Sequence, residues 1–70
     1  METSSLGTIV FYLPDRGYGY LRLHDTREEF YFRRGNLRAA AVGKGDVVRF
    51  VLRQNRQGYY ADEVTPAGIA

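Results

Sequence analysis

Tyr18 and Tyr20 are separated by one glycine, and Phe30 and Phe32 by one tyrosine. Residues two apart on extended backbone share a face, so each pair sets two rings on one side of a strand. If the two segments pair as a hairpin with those faces aligned, the four rings form a continuous platform. Such a surface suits single-stranded nucleic acid, because every base has a π-face and a flexible strand can lay successive bases on successive rings. Arg16 and Arg33 stand at its rim, where a planar guanidinium can pair with phosphate or stack. Part of the aromatic set has to be core, since Tyr31 lies between Phe30 and Phe32 and one face must point inward. The earlier pair is the firmer case: Leu21 and Leu23 claim the inner face, which turns Tyr18 and Tyr20 outward. Farther along, Tyr59 and Tyr60 follow the turn Arg56-Gln57-Gly58. One of them is expected outside, where it either extends the platform, with Arg56 nearby, or covers the barrel end.

The other reactive residue types point to no catalytic chemistry. Asp15, Asp25, Glu28, Glu29, Asp46, Asp62 and Glu63 fall mostly at turns and strand ends, where solvated carboxylates are expected. Asp62 shares its parity with Val64, which makes it a rim carboxylate, and burial would oblige it to find a partner. The chain has no cysteine and one histidine, His24, in a polar connection. Disulfides and thiolate zinc sites are therefore excluded, and a transition-metal centre is poorly supplied. Ser4 and Ser5 lie in the expected N-terminal tail and form no Ser/His/Asp arrangement. The expectation is a non-enzyme with no cofactor and no metal.

The elements that must position these residues are short strands. Ile9 to Leu13 is rich in β-branched and aromatic residues and stops at Pro14-Asp15-Arg16-Gly17, a turn sequence. Tyr18 to Leu23 alternates, with Gly19 on the inner face leaving room for a strongly curved sheet. Glu29 to Arg33 is a third strand, Val47 to Arg53 a fourth, and Tyr59 to Val64 a fifth. Between the third and fourth, Leu37 to Val42 suggests a helical turn. Strand limits near 6–13, 17–23, 28–33, 46–53 and 58–65 follow, good to about two to four residues. Five short strands separated by Gly- and Asp-rich turns argue for an all-β fold. A small antiparallel barrel is favoured over an open sheet, because closure removes the edges. Ile9, Leu21, Leu23, Tyr31, Leu37, Val48, Phe50, Leu52 and Val64 are the expected core.

Seventy residues make one domain, spanning 1–70 with the barrel at about 6–65 and frayed ends, the C-terminal one from Pro66 on. A hydrophobic content of 44% permits a compact core, though so short a chain keeps a thin stability margin. The opening Met1 to Leu6 lacks the basic start and apolar stretch of a signal peptide, and no run is long enough to span a membrane. A soluble, cytoplasmic monomer is expected. Net charge is only +2, yet nine of the ten basic residues are arginine. That bias fits a nucleic-acid surface and a GC-rich coding sequence equally well, so charge alone does not choose the partner.

The segment Gly7-Thr8-Ile9-Val10-Phe11-Tyr12-Leu13-Pro14-Asp15-Arg16-Gly17-Tyr18-Gly19-Tyr20-Leu21 resembles the opening of bacterial cold-shock proteins and Y-box domains. Those typically read Gly-Thr-Val-Lys-Trp-Phe-Asn, two variable residues, then Lys-Gly-Phe-Gly-Phe-Ile. Glu29 to Arg33 resembles the family's second motif, Val-Phe-Val-His-Phe, while Gly45 to Phe50 and Gly58 to Val64 resemble its last two strands. The resemblance spans roughly Gly7 to Thr65, and its specificity lies in the glycine-aromatic motif. It implies a five-stranded barrel of the OB type that binds single-stranded RNA or DNA, in the manner of an RNA chaperone or regulator. By position it implies base stacking on Phe11, Tyr18, Tyr20, Phe30 and Phe32, with Arg16 in the motif's basic place. Tyr12 is a lesser candidate, because Phe11 and Tyr12 cannot both face outward without a bulge.

Four positions depart from the family pattern. Val10 replaces lysine, Leu13 asparagine, Phe32 histidine and Arg33 phenylalanine, and the loop from Arg34 to Asp46 is shorter and lacks an extra aromatic. Apolar Val10 and Leu13 beside the platform fit an alternative, a protein-interaction barrel with the same fold and little affinity for nucleic acid. Salt separates the two: phosphate contacts weaken steeply with it and an apolar contact does not.

Overall fold

The computed structural model describes residues 3–67. Five strands form a closed barrel: β1 (Ser5–Leu13), β2 (Tyr18–Leu23), β3 (Glu29–Arg33), β4 (Val47–Asn55) and β5 (Gly58–Pro66). Their spatial order is β1-β2-β3-β5-β4, with β4 returning to β1. Four of the pairings are antiparallel, but the barrel closes between β3 and β5 in parallel. The expectation of a purely antiparallel barrel is corrected at that one seam. It is thin: Tyr31 pairs with Tyr60, an isolated bridge joins Leu37 to Val64, and the Arg38 N–H donates to the Val64 carbonyl at 2.7 Å.

The strand limits agree with the sequence pattern to within two residues, but several details differ. β1 already includes Ser5, paired with Phe50, and β5 runs through Pro66, so both expected tails are shorter. Residues 1–2 and 68–70, where the fraying was also expected, lie outside the described residues. The helical turn expected within Leu37 to Val42 lies earlier, as one 3-10 turn at Arg34–Asn36. Leu37 and Val42 are instead drawn into the core. No helix among the described residues is long and apolar enough to cross a membrane.

The core consists of Ile9, Leu21, Phe32, Leu37, Val42, Val48, Phe50, Ala61 and Val64, with Tyr12, Leu23, Phe30 and Ala39 packed against it. Two expected core residues are elsewhere. Tyr31 faces outward, because β3 presents Phe30 and Phe32 to Leu21 and Gly19 on the inner side of β2. Leu52 keeps the inward parity of Val48 and Phe50 yet is 41% exposed. It lies beyond the stretch of β4 that pairs with β1, which ends at Phe50.

Two bulges set the faces. In β1, Ile9 pairs with Leu21 and Phe11 with Tyr20, so Val10 is an extra residue. It lets the chain pass from Ile9 inside to Phe11 outside and Tyr12 inside again. In β5, Asp62 pairs with Val51 and Thr65 with Arg49, and Glu63 takes a positive φ of 49°. Ala61 and Val64 are both buried as a result, three residues apart, and Asp62 does not share the parity of Val64.

Candidate nucleic-acid interface

Gly19 is what lets the aromatic face form. A Cβ there would stand 2.3 Å from the Phe11 carbonyl oxygen and 2.9 Å from both the Phe32 ring and the Tyr12 Cα. Only glycine allows β1 to approach β2 this closely while the Phe32 ring fills the space beneath. The Tyr12 ring stacks on Phe32 from the inner side, 5.7 Å between centroids and 15° between planes.

On the opposite face, register aligns one residue from each strand. Phe11 pairs with Tyr20, Tyr20 with Tyr31, Tyr31 with Tyr60 and Tyr60 with Arg53, so four aromatics and an arginine form a row around the outside of the barrel. Tyr18 lies one step off the row, beside Arg33. The rings touch: Phe11 lies 5.5 Å from Tyr20 and 6.1 Å from Tyr18, and Tyr31 lies 5.7 Å from both Tyr18 and Tyr20. All four are partly exposed. The Arg33 guanidinium sits 5.9 Å from the Tyr31 ring centre and its Nε–H donates to the Tyr31 hydroxyl at 3.3 Å, holding a cation at the platform's edge.

The residues read from the sequence divide accordingly. Phe11, Tyr18, Tyr20 and Arg33 are brought together. Phe32 is wholly buried and is removed from the platform. Phe30 is half-buried on the inner side, 6.1 Å from the Phe50 ring, and Tyr12 is an inner-face residue as well. Tyr31, assigned to the core, replaces Phe30 and Phe32 on the outer face. The expected phase of β3 is thus one residue off, and a slip of one exchanges the two faces of a strand. The signal that identifies Tyr31 is its parity with Glu29 and Arg33, two charges that require the solvent side.

Arg16 is exposed in the β1–β2 turn, where it lines a shallow depression with Leu13, Pro14, Asp15 and Tyr18. Gly17, at φ 74°, closes that turn, and the Arg34 guanidinium bonds the Pro14 carbonyl while the Arg34 N–H donates to the Gly17 carbonyl at 2.9 Å. Across the platform a groove of about 610 Å³ runs over β3 and β5, lined by tyrosines and by the amides of Asn36, Asn55 and Gln57. Tyr60 and Tyr59 both border it, so both late tyrosines are on the interface side, whereas Arg56 is exposed in the neighbouring turn and does not line the groove.

Under the groove lies a polar cluster. Asn36 accepts the Arg33 N–H at 2.9 Å and donates to Asp62 at 3.0 Å, linking the end of β3 to β5. Arg53 holds Asp62 at 2.6 Å and Glu63 at 2.8 Å. Burial pushes the Asp62 carboxyl up. That effect is outweighed by the Glu63 N–H, the Asn36 amide and the Arg53 guanidinium, with its charge, which together hold the group below its ordinary value. No protein-family model and no curated protein matches this chain.

Proposed function

We propose that this chain binds single-stranded RNA or DNA as a small barrel of the OB type, related to the cold-shock domains. The observation that carries the reading is the outward cluster of Phe11, Tyr18, Tyr20 and Tyr31, four touching rings on the face opposite the core. Rings left partly exposed in a domain with a thin stability margin are poorly explained by packing and well explained by base stacking. Five strands closed in the order β1-β2-β3-β5-β4 support the OB assignment. Arg16 and Arg33 both flank Tyr18, which supports phosphate contacts at that end of the platform. With so modest a net charge, stacking supplies most of the affinity and the arginines set its salt dependence.

One feature favours a second reading, a protein partner. Leu13 is 39% exposed and borders Tyr18 with Pro14, an apolar margin that a nucleic acid does not need. Titration of fluorescent single-stranded oligonucleotides at two salt concentrations separates the two. Binding is expected to weaken as salt rises, and Arg16→Ala to make the logarithmic slope shallower by about 0.7, the loss of one phosphate contact. Absence of binding at low salt would put the protein partner ahead.

A further inference from the structure

The groove beyond the platform has a composition of its own. Its floor continues the aromatic row from Tyr31 to Tyr60, across the parallel seam, and Tyr59 stands at its margin, 59% exposed. Its far wall is the β4–β5 turn. There the Asn55 side-chain oxygen accepts the Gln57 N–H at 2.8 Å, which fixes the turn and leaves the Asn55 amide nitrogen facing away from that bond. The Gln57 side-chain amide makes no hydrogen bond with any described residue. Glu29 lies toward the same end of the groove, two residues before Tyr31 on β3 as Gly58 is two before Tyr60 on β5. Its carboxylate accepts from Arg22 at 3.0 Å and retains further acceptor capacity, and Arg33 lines the groove two residues past Tyr31.

From this arrangement we infer that the groove is a base-reading subsite, in which a nucleobase lies along Tyr31 and Tyr60 while Gln57 and Glu29 read its edge in favour of an amino-bearing base. The inference rests on the single-strand reading above and adds a selectivity to it. A base is favoured by stacking on the floor and by an amide that offers a donor beside an acceptor. That amide can pair with adenine or cytosine through the exocyclic amine and its neighbouring ring nitrogen, and equally with thymine or uracil through O4 and N3–H. Only the amine can also donate to a carboxylate, so Glu29 makes the choice. Thymine and uracil present a carbonyl oxygen in the same place, against Glu29. They are the bases the subsite should reject.

The test is a scan of single adenine or cytosine replacements through a fluorescent oligothymidylate of about eight nucleotides, within the span of one such barrel. In the wild-type protein one position is expected to bind about fivefold tighter, or more, with the amino-bearing base than with thymine. Glu29→Gln should bring that ratio close to one, whereas Gln57→Ala should weaken binding of both kinds of base at that position. Tyr20→Ala should weaken every oligonucleotide alike and keep the ratio. A flat scan in the wild type, or a preference that survives Glu29→Gln, overturns the subsite while the platform stands. Failure of the wild type to bind any of the oligonucleotides overturns the single-strand reading, and the subsite with it.

Discussion

The two faces of the β2–β3 hairpin use almost the same residue types for opposite ends. Inside, Gly19, Leu21, Phe30 and Phe32 interlock, and Leu21 and Phe32 have no exposed surface. Outside, Tyr18, Tyr20 and Tyr31 form a cluster of rings of similar size that remains partly open. Aromatic character therefore does not tell core from surface in so small a barrel. Enclosure does: Phe32 is shut in on every side, whereas Tyr18, Tyr20 and Tyr31 touch one another and stay partly exposed.

The largest expected effect comes from disturbing the inner face. Phe32→Ala removes a fully buried ring and should cost about 3–5 kcal/mol, much of what a domain of this size possesses. Gly19→Ala attacks the same contact from the other strand, by forcing a Cβ into the Phe11 carbonyl and the Phe32 ring. Thermal or urea unfolding should show both variants strongly destabilised. A Phe32→Ala protein that melts like wild type would mean that the inner and outer faces have been interchanged.

The outer face should answer in the other measurement. Tyr31→Ala loses ring contacts with Tyr18 and Tyr20 and the bond from Arg33, about 1–2 kcal/mol of stability. Its oligonucleotide affinity should fall by about fivefold or more, the loss of one stacking ring. Stability and binding are thus expected to rank Phe32 and Tyr31 in opposite orders. A folded Tyr31→Ala protein with undiminished binding would leave the platform without its central residue.

Much of this contrast was legible in the sequence, and the part that was not has a physical cause. In β2, Gly19 and Leu21 are so unlike Tyr18 and Tyr20 that period two assigns the faces without ambiguity. In β3, Phe30, Tyr31 and Phe32 are all large and aromatic, so hydrophobicity gives no phase, and only the charges at Glu29 and Arg33 mark the outer side. The sequence raises a bulge in β1 only as what Phe11 and Tyr12 would need to face outward together; the one at Val10 instead turns Phe11 out and leaves Tyr12 inside. The bulge at Glu63 is hidden too, since nothing in Asp62-Glu63-Val64 separates a bulged strand from a regular one. The parallel seam was equally hidden, because it depends on how β5 returns across the barrel. Tyr60 became part of the outer row only through that return.

The smallest expected effect concerns the seam itself, on which the outer row depends to pass from Tyr31 to Tyr60. The backbone pairing there is sparse, and the Asn36–Asp62–Arg53 cluster ties the end of β3 to β5 and β4 by side chains. The Asp62 carboxyl is held below its ordinary value of 3.8 in the folded protein. The unfolded chain therefore takes up the proton first as pH falls, and the stabilisation is complete above that value and disappears as pH drops through the folded one. Other carboxylates titrate over the same range, so the informative quantity is the difference between wild type and Asp62→Asn. Near neutral pH the variant should be the less stable, having lost the charge that Arg53 faces, and the gap should narrow below about pH 4. A constant gap down to pH 2 would mean that the cluster contributes shape and hydrogen bonds but no charge. The seam would then be held by backbone and packing alone.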